Sequence, residues 1–258
     1  HLSQGEPVLA RKVVLATGIQ GGGQWHTPAF IADNLPKEAY AHTSEDIDYQ
    51  ALAGKRIAVL GAGASAFDNA NHAFDQGAAD VHVFVRRKVL PTVNPIRFME
   101  QNGVIPRFLT MSDAEKYAFK ASFFDRNQPP TNDMFQRASS HPGFELHLGC
   151  GWDAVEMDGD QVKVTTAKGI YHYDFLVLST GIVTDPALRP ELAELADGIA
   201  RWEDVYEPPA EIANPVISQH PYMSDSFEFT PRSDAVADSL YGLYGFNYSA
   251  FINHSLSA

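Results

Sequence analysis

The apolar residues of this chain fall into short continuous runs alternating with stretches of helical spacing. Ile57 to Leu60 is such a run, and it predicts a buried strand over Lys55 to Leu60. Ser65 to Gln76 follows at helical spacing and is closed by Gly77, and Val81 to Val85 reads as a second strand. Upstream, Val13 to Ala16 predict a strand ending in Thr17-Gly18, and Ile31 to Leu35 a short helix. Thr43 and Asp46 stand at capping-box spacing before a turn.

Downstream of Arg87 the prolines between Val89 and Pro106 rule out one regular element, and helices are predicted over Ser112 to Asp125 and Asp133 to Ser139. From Phe144 the period becomes two. Strands are predicted over Phe144–Leu148, Trp152–Met157, Gln161–Thr166 and Ile170–Tyr173, with turns at Asp158-Gly-Asp and Ala167-Lys-Gly. An apolar run, residues 175 to 181, ends in Thr180-Gly181. Beyond Pro186 come an amphipathic helix over Glu191 to Asp197, an irregular stretch to about Ala237, and a strand over Tyr241 to Asn247. Strands alternating with helices make this an α/β chain.

Gly61-Ala62-Gly63-Ala64-Ser65-Ala66 lies between the first strand and its helix. Gly61 permits the tight turn, Gly63 a close backbone approach to a pyrophosphate, and Ala66 tight packing of helix on strand. Ala64 and Ser65 would offer first-turn N–H groups and the positive helix end to the phosphates. Strand, turn, helix and strand follow in the order a dinucleotide site requires, although a structural Gly turn remains the alternative. The second strand ends in Arg86-Arg87-Lys88, where an NAD site usually carries Asp or Glu. Guanidinium groups can fork onto a 2′-phosphate, so the cluster predicts NADP(H); the competing reading is a solvated strand end.

The 258 residues, 45% hydrophobic and 20% charged, suffice for one large or two ordinary domains. A net charge of −13 argues against nucleic acid and anionic membrane surfaces as partners. No apolar run reaches the roughly 20 residues of a membrane span. Cys150 is the single cysteine, so disulfide and dithiol chemistry are excluded and a cytoplasmic setting is expected. Neither H-E-x-x-H nor paired Cys/His spacing occurs, so no metal is expected.

A strand ending Ala-Thr-Gly, the Gly61–Ala66 turn, a strand ending in Arg86, a β-meander and a strand ending Ser-Thr-Gly stand in a recognisable order. This order resembles the flavin-containing monooxygenase-like and Baeyer-Villiger-like flavoproteins. The resemblance implies a Rossmann-like NADP(H)-binding domain with a β-meander, residues 50–182, inserted in an FAD-binding domain, residues 1–49 and 183–258. It further implies that Thr17, Gly18, Thr180 and Gly181 lie at crossings near the flavin nucleotide. The family's first Gly fingerprint should precede Val13, and the opening on His1 suggests a piece of a longer protein that holds FAD weakly alone. The Baeyer-Villiger fingerprint is half present: His42 matches its histidine, but Pro36 and Glu38 replace Phe and Gly.

The implied chemistry is hydride transfer from NADPH to FAD, after which the reduced flavin activates O2 toward a small organic substrate. Candidates to act in the pocket are Asn94, Asn247 and His42, with the Gly21–His26 loop and Gly245–Phe251 as lining. Trp25 and Tyr248 read more readily as packing aromatics. A homo-oligomer is left open. So are a flavin-linked reductase without oxygenation and a non-catalytic NADP(H)-binding redox sensor.

Overall fold

The computed structural model describes residues 8–255; the outermost parts of the expected terminal segments, 1–7 and 256–258, lie outside them. In chain order the strands are β1 (Val13–Val14), β2 (Gly23–Trp25), β3 (Tyr40–His42), β4 (Arg56–Leu60), β5 (Asp80–Val85) and β6 (Phe144–Leu148). After them come β7 (Ala154–Asp158), β8 (Gln161–Thr166), β9 (Gly169–Tyr173), β10 (Phe175–Leu178), β11 (Ile182–Thr184) and β12 (Leu243–Tyr244).

The chain divides into two compact units. One holds residues 25–98 and 126–181, the other residues 8–24, 99–125 and 182–255. These boundaries differ from the expected 50–182 in two places. Residues 25–49 join the first unit because β3 pairs with β10. Residues 99–125 join the second because Tyr117, on the helix Asp113–Arg126, packs with Trp202 and Ile217.

In the first unit five parallel strands are ordered β3-β10-β4-β5-β6. Their central members are largely apolar, His82 of β5 apart, because both faces are covered. Ile57, Val59, Val81, Val83 and Val177 pack under the helices, with Phe67, Ala70 and Phe74. Ala58, Leu60, Phe84, Leu176 and Leu178 face the other way, onto Trp152, Val155, Val162, Val164 and Tyr173 of the antiparallel β7-β8-β9 meander and its lead-in. The helix Ala64–Asp75 buries Ala66, Phe67, Ala70, Asn71, Ala73 and Phe74, the stripe a 3.6-residue period produces. Asn71 Nδ2 donates to Met134 O at 3.0 Å, tying this helix to Asn132–Ser139.

The second unit has little regular structure. Its cores gather around Tyr117, Trp202 and Phe251, around Leu192, Met223 and Phe229, and around Met99, Val104 and Phe108. Two expectations fail here. Glu191–Asp197 is not an α-helix: Leu192, Leu195 and Gly198 each donate to the carbonyl three residues back. The three-residue spacing of Leu192, Leu195 and Ala196-to-Ile199 suits such turns, in which side chains at i and i+3 eclipse. The expected strand Tyr241–Asn247 shrinks to β12, because Gly242 at φ +75° turns the chain immediately before it. β12 pairs in parallel with β1, itself shorter than the expected Val13–Ala16. Among the described residues no helix is long and apolar enough to cross a membrane.

Candidate functional site

Because the five strands are parallel, their C-terminal ends lie along one edge of the sheet. Gly61 N donates to Phe84 O at 3.0 Å, Ser179 N to Leu60 O at 2.9 Å, and Thr43 N to Leu178 O at 3.0 Å. Those bonds fix the turns after β3, β10, β4 and β5 as neighbours. From β4 the chain steps to β5 and β6 on one side, whereas β10 lies on the other. The order therefore reverses beside β4, where doubly wound sheets open a crevice for ligands.

Gly61 sits at that reversal with φ +140°, and a Cβ there would lie 2.3 Å from Ser179 O. Gly63 differs. It caps the helix at φ −78°, and an added Cβ would meet only Gln128 O, at 3.6 Å. Among the described residues nothing demands a glycine at Gly63, so the space a Cβ would fill is open to a ligand. Ala64 and Ser65 begin the helix, and their N–H groups precede any intrahelical acceptor. Ala66 is fully buried against the sheet. The turn thus fits a pyrophosphate: small residues, an open cradle and free donors at a helix N-terminus.

Arg86 and Arg87 follow β5 at the same edge, both exposed. Among the described residues neither enters an ion pair; Arg87 Nη1 donates weakly to Arg126 O at 3.5 Å. Two guanidinium groups that no carboxylate among the described residues pairs, beside a dinucleotide turn, are suited to a 2′-phosphate.

Thr180 and Gly181 turn away from β10, Gly181 at φ +81°. Thr180 Oγ1 donates to His26 O, and Gly181 O accepts from His26 N at 2.9 Å. His42 completes this clamp. Its Nδ1 accepts from Ser44 N at 3.2 Å, so its Nε2–H donates to Gly181 O at 2.9 Å. The ring is buried, stacked on Trp25 at 5.6 Å, and desolvation lowers its pKa, keeping it neutral. His42 holds the turn in place, a role its sequence position did not reveal. His26, expected only as part of the lining loop, clamps through backbone atoms, which leave no trace in residue type.

In the other unit Gly18 adopts φ +73° and bridges to Asn247. Asn247 is fully buried. Its Nδ2 lies 3.2 Å from Leu15 O, 3.1 Å from Thr17 Oγ1 and 3.2 Å from Gly21 O, and its Oδ1 accepts from Ser249 N at 2.9 Å. That amide is committed to pinning residues 15–21. Asn94 is likewise committed: its Oδ1 accepts from Ile96 N and Arg97 N, capping the helix Pro95–Gln101. Gly21, Gly22 and Gly23 do not line a pocket. A Cβ on each would strike Thr17 Oγ1 at 1.8 Å, Ser249 N at 2.9 Å and Val183 O at 1.8 Å respectively. Tyr248 stacks on Phe251 at 4.8 Å as a packing aromatic. Near Gly22, the hydroxyls of Thr184 and Ser249 are buried without partners.

No family model matches the chain. A curated relative, the FAD-dependent urate hydroxylase of Xanthomonas campestris pv. campestris, is 59% identical over 258 residues, covering 100% of this chain and 54% of the relative. The chain is thus similar along its whole length to a flavin-dependent hydroxylase. It spans about half the length of that monooxygenase relative. Solved monooxygenases share its fold at low identity. The reduced form of ornithine hydroxylase from Pseudomonas aeruginosa aligns with TM-score 0.65 and 15% identity over 96% of this chain and 57% of its own. L-lysine 6-monooxygenase from Pseudomonas syringae aligns with TM-score 0.63 and 18% identity, covering 92% of this chain and 56% of that one. Kutzneria sp. 744 ornithine N-hydroxylase gives 0.60 and 19%, covering 96% and 59%.

Proposed function

We propose that this chain is the nucleotide-handling part of an FAD- and NADPH-dependent hydroxylase that uses O2 on a small organic substrate of the urate class. The observation that carries this reading is the 59% identity to a urate hydroxylase along all 258 residues. In this reading residues 25–98 with 126–181 form the NADP(H)-binding domain, inserted into an FAD-binding domain to which residues 8–24, 99–125 and 182–255 contribute. Gly61, Gly63, Ala64, Ser65 and Ala66 receive the NADPH pyrophosphate, and Arg86 with Arg87 the 2′-phosphate. Thr17, Gly18, Thr180 and Gly181 are the turns that border the flavin nucleotide. A bound flavin supplies the redox chemistry, accepting a hydride and then activating O2.

The work of the chain's own residues is positional. His42 and His26 hold Gly181, and Asn247 holds Thr17 and Gly21, so the turns offered to the nucleotides are rigid. Both amide atoms of Asn247 and both ring nitrogens of His42 are held by hydrogen bonds, and Asn94 Oδ1 caps a helix, so no proton step is assigned to them. The test uses the full-length protein. Flavin absorption, faster reduction by NADPH than by NADH, and urate-dependent O2 uptake with a hydroxylated product are expected. NADPH oxidation that yields only hydrogen peroxide with every purine tried would overturn the hydroxylase reading in favour of a reductase.

A further inference from the structure

Two histidines and a glutamate meet on the face of the sheet turned toward the meander. The β5–β6 register sets His82 opposite Glu145 and Phe84 opposite His147. Side chains two apart on a strand share a face, so His82, Glu145 and His147 converge from two adjacent strands. His147 Nε2 lies 3.2 Å from Glu145 Oε2, and His82 Nδ1 lies 3.7 Å from the same oxygen. All three donor atoms fall within 4.8 Å of one another. Ligands about 2.0–2.1 Å from a tetrahedral ion are separated by about 3.3 Å, so small side-chain rotations would close the set.

We propose that His82, Glu145 and His147 form a divalent-metal site in the first unit, of zinc type, with solvent as the fourth ligand. Three features support it beyond proximity. His147 Nε2 is buried and makes no hydrogen bond, so a lone pair is available inside the cluster. The rings are held by an aromatic wall: Phe84 stacks on His147 at 4.3 Å, Tyr171 meets its edge at 5.1 Å, and Tyr173 meets His82 at 5.4 Å. Held rings give up little freedom on coordination. Glu145 is more than half exposed, so the site opens to solvent and an ion can enter beside its carboxylate. Two imidazoles and one carboxylate suit zinc, cobalt or nickel and are poor for magnesium or calcium, which prefer oxygen-only sets. One existing bond must give way: Tyr173 Oη, 2.7 Å from His82 Nδ1, yields that nitrogen to the ion. The ion would clasp β5 to β6. No metal signature was visible along the sequence because the ligands come as His-x-Phe and Glu-x-His on strands some sixty residues apart, joined only by register.

The test titrates Zn2+, and Co2+ as a spectroscopic probe, into tag-free, chelator-treated protein. One equivalent is expected to bind, raising the melting temperature and giving the intense visible bands of four-coordinate Co2+. Glu145→Gln should weaken binding about tenfold and His147→Ala about a hundredfold or more, with circular dichroism unchanged. His172→Ala, which removes the separate His172–Asp158 pair on the meander, should leave it intact. Failure of the unmodified protein to bind, or retention of full affinity in both Glu145→Gln and His147→Ala, would overturn the site.

Discussion

A Cβ on Gly61 would stand 2.3 Å from the carbonyl oxygen of Ser179, which leads the chain out of the neighbouring strand β10. Two glycines of one turn thereby separate in role. Gly61 is fixed by the fold, through its φ of +140° and this backbone contact, whereas Gly63 is free of both constraints. Gly61→Ala should cost about 2–4 kcal/mol of stability from strain and overpacking together. Gly63→Val should fold with near-normal stability yet lose NADPH binding. Chemical denaturation and nucleotide titration on both variants check this; NADPH affinity retained in folded Gly63→Val would leave the turn a purely structural one.

On the proposed reading, Arg86 decides the choice of nucleotide. It is exposed, unpaired by any carboxylate among the described residues, and placed one residue beyond β5. Arg86→Ala should weaken NADPH binding by about 1.5–3 kcal/mol, the range of a charge-assisted contact, and leave NADH nearly unchanged. Arg87→Ala should do less, since its guanidinium already leans on Arg126 O. Titrating each variant with both nucleotides separates the cases, and equal losses for NADPH and NADH would refute the assignment.

The parts of this architecture that could be read from the sequence are those whose causes are local. β6 and β8 coincide with the strands expected at Phe144–Leu148 and Gln161–Thr166, because period-two alternation and flanking turns lie within each segment. The Gly61–Ala66 turn is legible for the same reason. Gly21, Gly22 and Gly23 are not: their small size answers to Thr17, Val183 and Ser249, the last more than two hundred residues away. His42 was equally opaque, since its partner Gly181 comes from the far end of the same unit. The amphipathic reading of Glu191–Asp197 found the buried leucines but mistook their three-residue spacing for an α-helical one.

Asn247 separates a structural from a catalytic role. Its amide faces Leu15 O, Thr17 Oγ1 and Gly21 O from one side and Ser249 N from the other. Asn247→Ala would strand these buried groups, at about 2–4 kcal/mol. Asn247→Asp should be at least as harmful, because a carboxylate oxygen would replace the donor against three acceptors. Melting temperatures of the two variants test this. Full stability with lost turnover in Asn247→Ala would return the residue to the list of catalytic groups.

His220 gives a distinct part of the pH dependence of stability. Its ring is buried, Nδ1–H donates to Val216 O at 2.6 Å, and Nε2 has no partner. Burial, with Lys120 and Arg201 as nearby cations, pushes its pKa down to about 4, although the bond to Val216 acts in the opposite direction. Once unfolded, the same ring takes up a proton near its ordinary value of about 6.5. Between those values the unfolded chain binds more protons than the folded one, so stability rises with pH. The contribution is complete above about pH 6.5 and is lost as pH falls toward 4, a difference on the order of 3 kcal/mol. Burial also lowers the pKa of His42, His82, His147 and His254, which add slope of the same sign. The His220 share is therefore read by comparing a variant with the unmodified protein in urea denaturation between about pH 5 and pH 7, above most carboxylate titrations. His220→Phe lowers stability at neutral pH by removing the bond to Val216, but it should flatten the slope in this window. Identical slopes in His220→Phe and the unmodified protein would mean that the folded protein accommodates a charged His220.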